Sequence, residues 1–209
     1  LVAQTGMPGD FQGRYLSHEG PIGYIGDELI EISYKDLRKE GGEVVSSPTG
    51  WAGISDKYWL TSFIPAQGTN AKYTFKYSGD VKDKDNTGKY QVDFVSDPIT
   101  IAPGQAAQSQ SHVFVGAKEV LTLKDYGQKL GLTNFDLAVD FGWLWFLSKP
   151  FFYILHFLGQ TFGNMGLAII LLTIFIRSST FPLTHKSYKS FAKMKKVSPK
   201  VSELREEYG

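Results

Sequence analysis

The most constraining feature of the sequence is the segment 164–183, NMGLAIILLTIFIRSSTFPL, which holds a single formal charge. Twenty residues in a helix span about 30 Å, which is the thickness of the hydrocarbon core of a bilayer. The segment therefore predicts a transmembrane helix. Its one charge, Arg177, needs a reason, because a central arginine costs about 3 kcal/mol even on insertion-derived scales.

The two flanks of this span differ in composition, although the net charge of +1 hides the difference. Residues 1–140 are polar, glycine-rich and mixed in charge, whereas residues 185–200 carry six lysines and no acid. By the positive-inside rule the lysine-rich side is cytoplasmic, and residues 1–140 lie outside, which in a bacterium is the periplasm. We expect the lysines to contact anionic lipid or, second, ribosomal RNA: Lys186, Lys189, Lys193, Lys195 and Lys196.

The ends of the sequence and its lack of cysteine set two further expectations. The chain has no cysteine, so a disulfide framework and thiol chemistry are excluded. It opens with LVAQTGMPGD, which has neither a start methionine nor the basic and apolar regions of a signal peptide. We therefore expect the chain to be a piece of a longer protein.

Residues 1–138 read mainly as short strands separated by Gly- and Asp-rich turns. Alternating or dense apolar patterns predict strands at 28–35, 58–64, 71–77, 89–95 and 108–115. A short helix is predicted at 119–130, ended by Gly131. Such spacing indicates an antiparallel β-sandwich in which each sheet has one buried and one wet face.

Residues 139–162 predict an amphipathic helix lying in the membrane interface. Its polar residues fall on one narrow stripe: Gly142, Lys149, Tyr153, His156 and Gln160. We expect the membrane to be contacted by aromatic residues on the remaining surface: Trp143, Trp145, Phe151 and Phe157. Pro150 is expected to break or kink the helix. The alternative is a second transmembrane helix, which would place Lys149, His156 and Gln160 in hydrocarbon.

Within the span of 163–184, a polar seam runs along one face of the predicted helix. Thr173, Arg177, Thr180 and Thr184 are spaced four, three and four residues apart, so they lie within about 60° of one another. The seam favours a hydrated groove facing Arg177, with Thr173 and Thr180 beside it. The alternative is a snorkelling anchor, in which the arginine stem reaches the cytoplasmic headgroups.

Residues 185–209 predict the start of a cytoplasmic helical hairpin. Ser198 and Pro199 match a helix start, with serine as the cap and proline at the first position. Val201, Leu204 and Tyr208 form one apolar stripe, which indicates an arm packed against a partner helix.

The sheet domain contains residues of the types that serve in catalysis. The candidates are His18, His112, Asp56, Asp93 and Asp97, and no nucleophile elbow, metal-ligand spacing or phosphate loop surrounds them. Trp51, Tyr58 and Trp59 are a candidate sugar-stacking set, although aromatic residues in a sandwich are usually core. We expect no catalytic residue, metal or cofactor.

Residues 139–209 resemble the bacterial YidC/Oxa family of membrane protein insertases. The resemblance is carried by GWLWFLSKP, GNMGLAIILLTIFIR, FPLTHKSYKS and KMKKVSPKVSELREEYG. Upstream, HEGPIGYIGDELIEISY and WAGISDKYWLTSFIP look like the periplasmic domain of the Gram-negative branch.

The resemblance implies a β-supersandwich without known catalysis at 1–138, then the first of five core transmembrane helices. An anchor helix and the first part of the domain would precede Leu1, and four further spans would follow Gly209. Arg177 matches the family's groove arginine and Thr173 a groove threonine. The implied partners are nascent membrane proteins, the ribosome and the Sec translocon.

The favoured hypothesis is an insertase that receives hydrophilic substrate segments in an intramembrane groove. The first alternative is a membrane-anchored periplasmic carbohydrate-binding module or enzyme, for which Arg177 is dispensable. The second alternative is a subunit of a channel or transporter.

Overall fold

The computed structural model describes residues 1–8, 18–80 and 87–208, with side chains described as far as Lys195. The chain divides into two compact units, Leu1–Trp143 and Leu144–Gly209. The first is called the sheet unit and the second the helical unit.

The sheet unit contains two antiparallel sheets. Within its described residues, the four-stranded sheet has the order β1–β8–β7–β4 and the five-stranded sheet the order β3–β2–β5–β6–β9. The strands are β1 Val2–Thr5, β2 Gly20–Ile25, β3 Glu28–Glu31, β4 Gly42–Ser47, β5 Gly50–Ser55, β6 Trp59–Ile64, β7 Ala71–Ser78, β8 Lys89–Ser96 and β9 His112–Ala117. The helices are α1 Tyr34–Glu40, α2 Val120–Leu130 and a short 3₁₀ helix at Phe135–Ala138.

One core contains side chains from both sheets and α1. Tyr73 and Phe75 of β7, Tyr90 of β8 and Ile54 of β5 belong to it, and the first three are at most 1% exposed. Tyr34 of α1 packs edge-on against Tyr90, with ring centroids 4.7 Å apart. Burying aromatic side chains removes 150–250 Å² of surface each from water, so this core is a large part of the driving force for folding.

A second core covers the outer face of the five-stranded sheet. Trp51 of β5 is fully buried and meets Phe135 of the 3₁₀ helix edge-on, with ring centroids 5.1 Å apart. The ring of Phe114 on β9 also packs edge-on against Phe135, with ring centroids 5.5 Å apart. The five-stranded sheet is therefore apolar on both faces, whereas the alternation argument expected one wet face per sheet.

The predicted β-sandwich followed by a helical membrane segment is confirmed. The strands predicted at 58–64, 71–77 and 89–95 form within one residue of their predicted bounds, and α2 ends at Gly131 with a left-handed φ of 65°. The strand predicted at 108–115 is wrong at its start, since β9 begins at His112. The strand predicted at 28–35 is also wrong at its end. Ser33 accepts the backbone N–H of Asp36 and caps α1, so β3 stops at Glu31.

Strands β2 and β5 are not predicted from the sequence, because neither alternates apolar and polar residues. β2 (GPIGYI) and β5 (GWAGIS) are buried at every position. Their glycines allow close backbone approach: a Cβ on Gly53 would collide with the carbonyl oxygen of Thr61 on β6, and one on Gly23 would lie 2.9 Å from the Trp51 carbonyl oxygen. The two-residue alternation of apolar and polar side chains is therefore absent in these strands, where the sheet is most tightly packed.

The helical unit consists of α3, Trp145–Phe162, and α4, Met165–Tyr208. Gly163, with φ 61°, ends α3, and the Asn164 side chain accepts the backbone N–H of Gly166 at the start of α4. α3 begins six residues after the start of the predicted segment 139–162 and continues through Pro150, so the predicted break there is wrong. The helix start predicted at Ser198–Pro199 is also wrong, because α4 is already helical there.

Replacing Phe135 by alanine tests the second core. We expect a loss of about 3–5 kcal/mol, typical of a buried phenylalanine truncation, and a melting temperature lower by at least about 6 °C. Thermal unfolding in detergent micelles, followed by near-ultraviolet circular dichroism, measures the shift. Val44→Ala on β4 is the control, because Val44 is 51% exposed. Equal shifts in the two variants would contradict the packing described for Phe135.

Candidate functional site

The seam on α4 is the first candidate site. Thr173, Arg177, Thr180 and Thr184 all lie in one unbroken helix and are exposed. Helical geometry puts them within about 60° of one another. The apolar residues around them are also exposed on several sides of the helix, including Ile169, Ile170, Ile174 and Phe175 at 51–59%.

The hydroxyl groups of the seam bond to the helix's own backbone. The Oγ1 atoms of Thr173, Thr180 and Thr184 donate to the carbonyl oxygens four residues earlier, at 2.7, 2.9 and 3.0 Å. Such bonds satisfy a hydroxyl donor inside a membrane. The threonine hydroxyls therefore do not by themselves require water. Their spacing alone is thus weaker support for a hydrated groove than the sequence suggests.

Arg177 differs from its neighbours on the seam. Among the residues that the structure describes, its guanidinium has neither a hydrogen bond nor an ion pair. A guanidinium carries five N–H donors and stays charged at accessible pH. Within a bilayer such a group needs water, an anion or polar groups around it.

α4 has the length and composition of a membrane span. Among the described residues, it is the one helix long and apolar enough, over Met165–Lys195, and only 6% of its most apolar window is buried. A core helix of a soluble protein would be mostly buried. The whole of α4 is 44 residues, or about 66 Å.

The residues predicted to contact the interface do not form one face. Trp145 and Phe157 are exposed, at 62% and 66%, while Phe151 is half-buried. On α3 these three side chains lie about 120° apart. Trp143 precedes the helix and is the last residue of the sheet unit. The exposed apolar face of α3 consists instead of Phe146, Pro150, Ile154 and Phe157, which lie within about 80°.

The lysines after the span are exposed, and three of them share a face. Lys186, Lys189 and Lys193 lie within about 60°, whereas Lys195 points to another side. The opposite side carries exposed Tyr188, Phe191 and Met194. Lys196, with Val201, Leu204 and Tyr208, lies outside the residues whose side chains are described.

Of the candidates for catalysis in the sheet unit, His18 and Asp56 both lie near Lys118, whereas Asp93, Asp97 and His112 lie in β8 and β9 or directly after β8. His18 begins the first described segment after residue 8, His112 begins β9, and Asp93 lies within β8. Trp51 is core, while Tyr58 and Trp59 are exposed. Within the described ranges, no group of three or more acidic, histidine or cysteine side chains is arranged to hold a metal ion.

Sequence reasoning missed a charge cluster where the chain leaves the sheet unit. The Asp140 carboxylate accepts the backbone N–H of His18 at 3.0 Å and that of Gly142 at 2.6 Å. Nearby, the Lys118 ammonium donates to Ser55 Oγ at 2.8 Å. His18 and Asp140 are 122 residues apart in the sequence, and Ser55 and Lys118 are 63 apart, so no local motif indicates the cluster.

Burial controls the protonation of this cluster. Desolvation lowers the pKa of Lys118, and the opposing carboxylates only partly offset it: Asp56, Glu19, Asp140 and Glu31. Desolvation also lowers the pKa of His18 below 6.5, although its ring bonds to the Pro21 carbonyl oxygen at 3.0 Å. The pKa of Glu31 is raised, first by desolvation and then by Asp140. The stability of the sheet unit where the chain leaves it, at residues 139–143, therefore depends on pH.

A His18→Gln variant tests this dependence. Below pH 6.5 the unfolded chain binds a proton at His18 that the folded chain resists, so stability falls as the pH drops through this value. Glu31 acts in the opposite sense in both proteins. We expect the melting temperature of the variant to fall less than that of the parent between pH 7.5 and 5.5. Identical pH slopes would show that His18 is not the group responsible.

Comparisons with known proteins cover both units. A family model described as the YidC periplasmic domain matches residues 2–154, and one described as 60Kd inner membrane protein matches residues 157–209. Curated proteins named membrane protein insertase YidC also match. That of Brucella suis biovar 1 (strain 1330) is 40% identical over 210 residues, covering 99% of this chain and 33% of the relative.

Two further relatives carry the same name. The protein of Sinorhizobium medicae (strain WSM419) is 40% identical over 197 residues, covering 93% of this chain and 32% of the relative. That of Beijerinckia indica subsp. indica is 40% identical over 211 residues, covering 100% and 34%. The chain spans about a third of the length of the curated relatives it matches.

Proposed function

Because the chain belongs to the YidC family of bacterial inner-membrane proteins, we propose that it assists the insertion of other proteins' hydrophobic segments into the bilayer. The sheet unit lies in the periplasm and α4 crosses the inner membrane, as the lysine distribution predicts. The observation that carries the proposal is Arg177, a charged group without a partner in the described residues, on the polar seam of a membrane-crossing helix.

The first step is entry of a hydrophilic segment. Arg177 and the seam form one wall of a hydrated groove, whose other walls come from further helices of the longer protein. Moving a polar or acidic tail into hydrocarbon is costly because its groups lose hydration. A groove that holds water and a positive charge lowers that cost, and a substrate carboxylate gains an attraction to the guanidinium.

The second step is release into lipid. The apolar segment of the substrate leaves the groove sideways, driven by removal of its surface from water. No covalent bond is made or broken, so the role is not that of an enzyme. The site residues are then Arg177, with Thr173 and Thr180 beside it.

The flanking segments serve the same task in this proposal. The exposed apolar face of α3, which includes Phe157, lies in the periplasmic interface and disturbs lipid packing near the groove. The exposed Trp145 lies about 100° around the helix from Phe146 and contacts the same interface. The lysine face at Lys186, Lys189 and Lys193 contacts anionic lipid on the cytoplasmic side. Nascent membrane proteins are the substrates, delivered by the ribosome with or without the Sec translocon.

Replacing Arg177 by alanine and by lysine tests the charge. With Ala we expect insertion of a single-span substrate with an acidic tail to fall about tenfold, since about 1.4 kcal/mol of lost stabilisation has that effect. Lysine keeps the charge and should retain most activity. The measurement is protease protection of the substrate's tail in proteoliposomes containing the full-length protein.

The controls separate this proposal from an anchor role. Phe175→Leu changes the side of α4 opposite the seam and should leave insertion unchanged. If Arg177→Leu also leaves it unchanged for every substrate tried, α4 is an anchor and the charge hypothesis fails. If lysine performs as poorly as alanine, charge alone is not the mechanism.

A matched pair of hydroxyl deletions tests the seam. Ser179 and Thr180 are adjacent, and each donates to the carbonyl four residues earlier at 2.9 Å, but only Thr180 lies on the seam. We expect Thr180→Val to slow insertion about two- to threefold, because it removes polar surface from the groove, and Ser179→Ala to have no effect. Equal rates for both variants would exclude a role for the seam hydroxyls.

A further inference from the structure

The five-stranded sheet has two distinct ends, defined by its register. Pairing of Gly20 with Ser55, and of Trp59 with Ala117, brings one set of strand ends together. Ile25 pairs with Glu28 and Gly50 at the opposite end. The first end, including the 56–58 turn and the segment 139–143, is called the exit end, because the chain leaves the sheet unit there.

A cavity of about 270 Å³ joins the turn to the exit segment. Its lining consists of Lys57, Tyr58, Ala117, Lys118, Glu119, Val139 and Asp140. Asp140 is fixed by two backbone N–H groups, those of His18 and Gly142. Trp143 follows three residues later, so its Cα lies within about 11 Å of that of Asp140.

Aromatic side chains are exposed at this end. Tyr58 is 66%, Trp59 59% and Trp143 85% exposed, whereas Trp51 of the same sheet is fully buried. The Lys57 ammonium lies 5.3 Å from the centre of the Tyr58 ring. Exposed tryptophan and tyrosine beside lysine are the residues that settle at the headgroup level of a bilayer, where an amphipathic ring has both apolar and polar surroundings.

The charge of the exit end distinguishes between lipid surfaces. Lys57 and Lys118 stand among Asp56, Glu119 and Asp140, with Glu19 and Glu31 close enough to act on Lys118. An anionic surface would repel this acidic majority. A zwitterionic surface offers phosphate to the lysines and ammonium to the carboxylates, so it is the complementary one.

We propose that the exit end of the sheet unit rests on the zwitterionic phospholipid surface of the periplasmic leaflet, with Tyr58, Trp59 and Trp143 in its headgroup layer. The inference rests on the proposed function in one respect, since it takes α3 to lie in that interface. The sheet unit then stands on the membrane by one end, and the turn at Gly26–Asp27 points away from it.

Site-specific fluorescence quenching tests the contact. Residues 1–209 contain no cysteine. Any cysteine elsewhere in the full-length protein is first replaced by serine, so that single introduced cysteines can be labelled with the environment-sensitive dye NBD. Tyr58→Cys and, as a second position at the same end, Trp59→Cys are compared with Glu28→Cys at the opposite end. Six strand residues separate the ends by about 20 Å. The full-length protein is reconstituted into phosphatidylethanolamine–phosphatidylcholine liposomes containing a lipid with a headgroup spin label.

We expect the spin label to quench both exit-end probes at least about twofold more than the probe at position 28. Adding anionic phosphatidylglycerol should not increase the quenching. Equal quenching at positions 28, 58 and 59 would overturn the inference, and so would quenching that requires anionic lipid.

A probe at Phe157→Cys on α3 separates this inference from the proposed function. If position 157 is quenched while positions 58 and 59 behave like position 28, the docking surface is wrong and the interfacial role of α3 stands. If position 157 is not quenched, the interfacial role of α3 fails, and the probes at 58 and 59 still decide the docking surface by their own comparison with position 28.

Discussion

The helical unit depends on one constraint, which is the cost of holding a permanent charge in a helix that crosses hydrocarbon. The hydroxyls of Thr173, Thr180 and Thr184 satisfy that constraint locally by donating to their own backbone. The guanidinium of Arg177 has no such option, since its donors point away from the helix axis on a long stem. Everything proposed for the site follows from this difference. Arg177 needs water, an anion or a polar neighbour beside it, and in the proposed function the acidic tail of a substrate supplies the anion.

A different constraint applies to the sheet unit. Where the chain leaves the packed sheets, its backbone N–H groups still need hydrogen-bond acceptors. Asp140 accepts two backbone N–H groups at that point, one of them from His18 at the far end of the sequence of this unit. Lys118 is held among carboxylates nearby, and its pKa is lowered because burial outweighs their attraction. The exit segment is thus fixed to the sheets by charge and hydrogen bonds, while the apolar cores form on either side of β5.

Sequence patterns predicted the elements whose physics is local. The span, the alternating strands β7 and β8, and the glycine end of α2 were found because each depends on neighbours within a few residues. β2 and β5 were not, because they are buried on both faces and use Gly23 and Gly53 for close approach to adjacent strands. The cap at Ser33 was hidden by the alternation of ELIEISYK. Within the candidate site, the seam was visible from its spacing, but the bonding of its hydroxyls and the cluster around Lys118 required the tertiary structure.

The continuity of α4 has a mechanical consequence. Because one helix runs from Met165 to Tyr208, the direction of the seam and that of the lysine face are fixed relative to each other. Counting 100° per residue, Lys186, Lys189 and Lys193 point about 180° from the seam. While the helix stays continuous, any rotation about its axis turns the lysine face and the Arg177 side chain through the same angle. The orientations of these two groups around the helix axis are therefore one variable and not two.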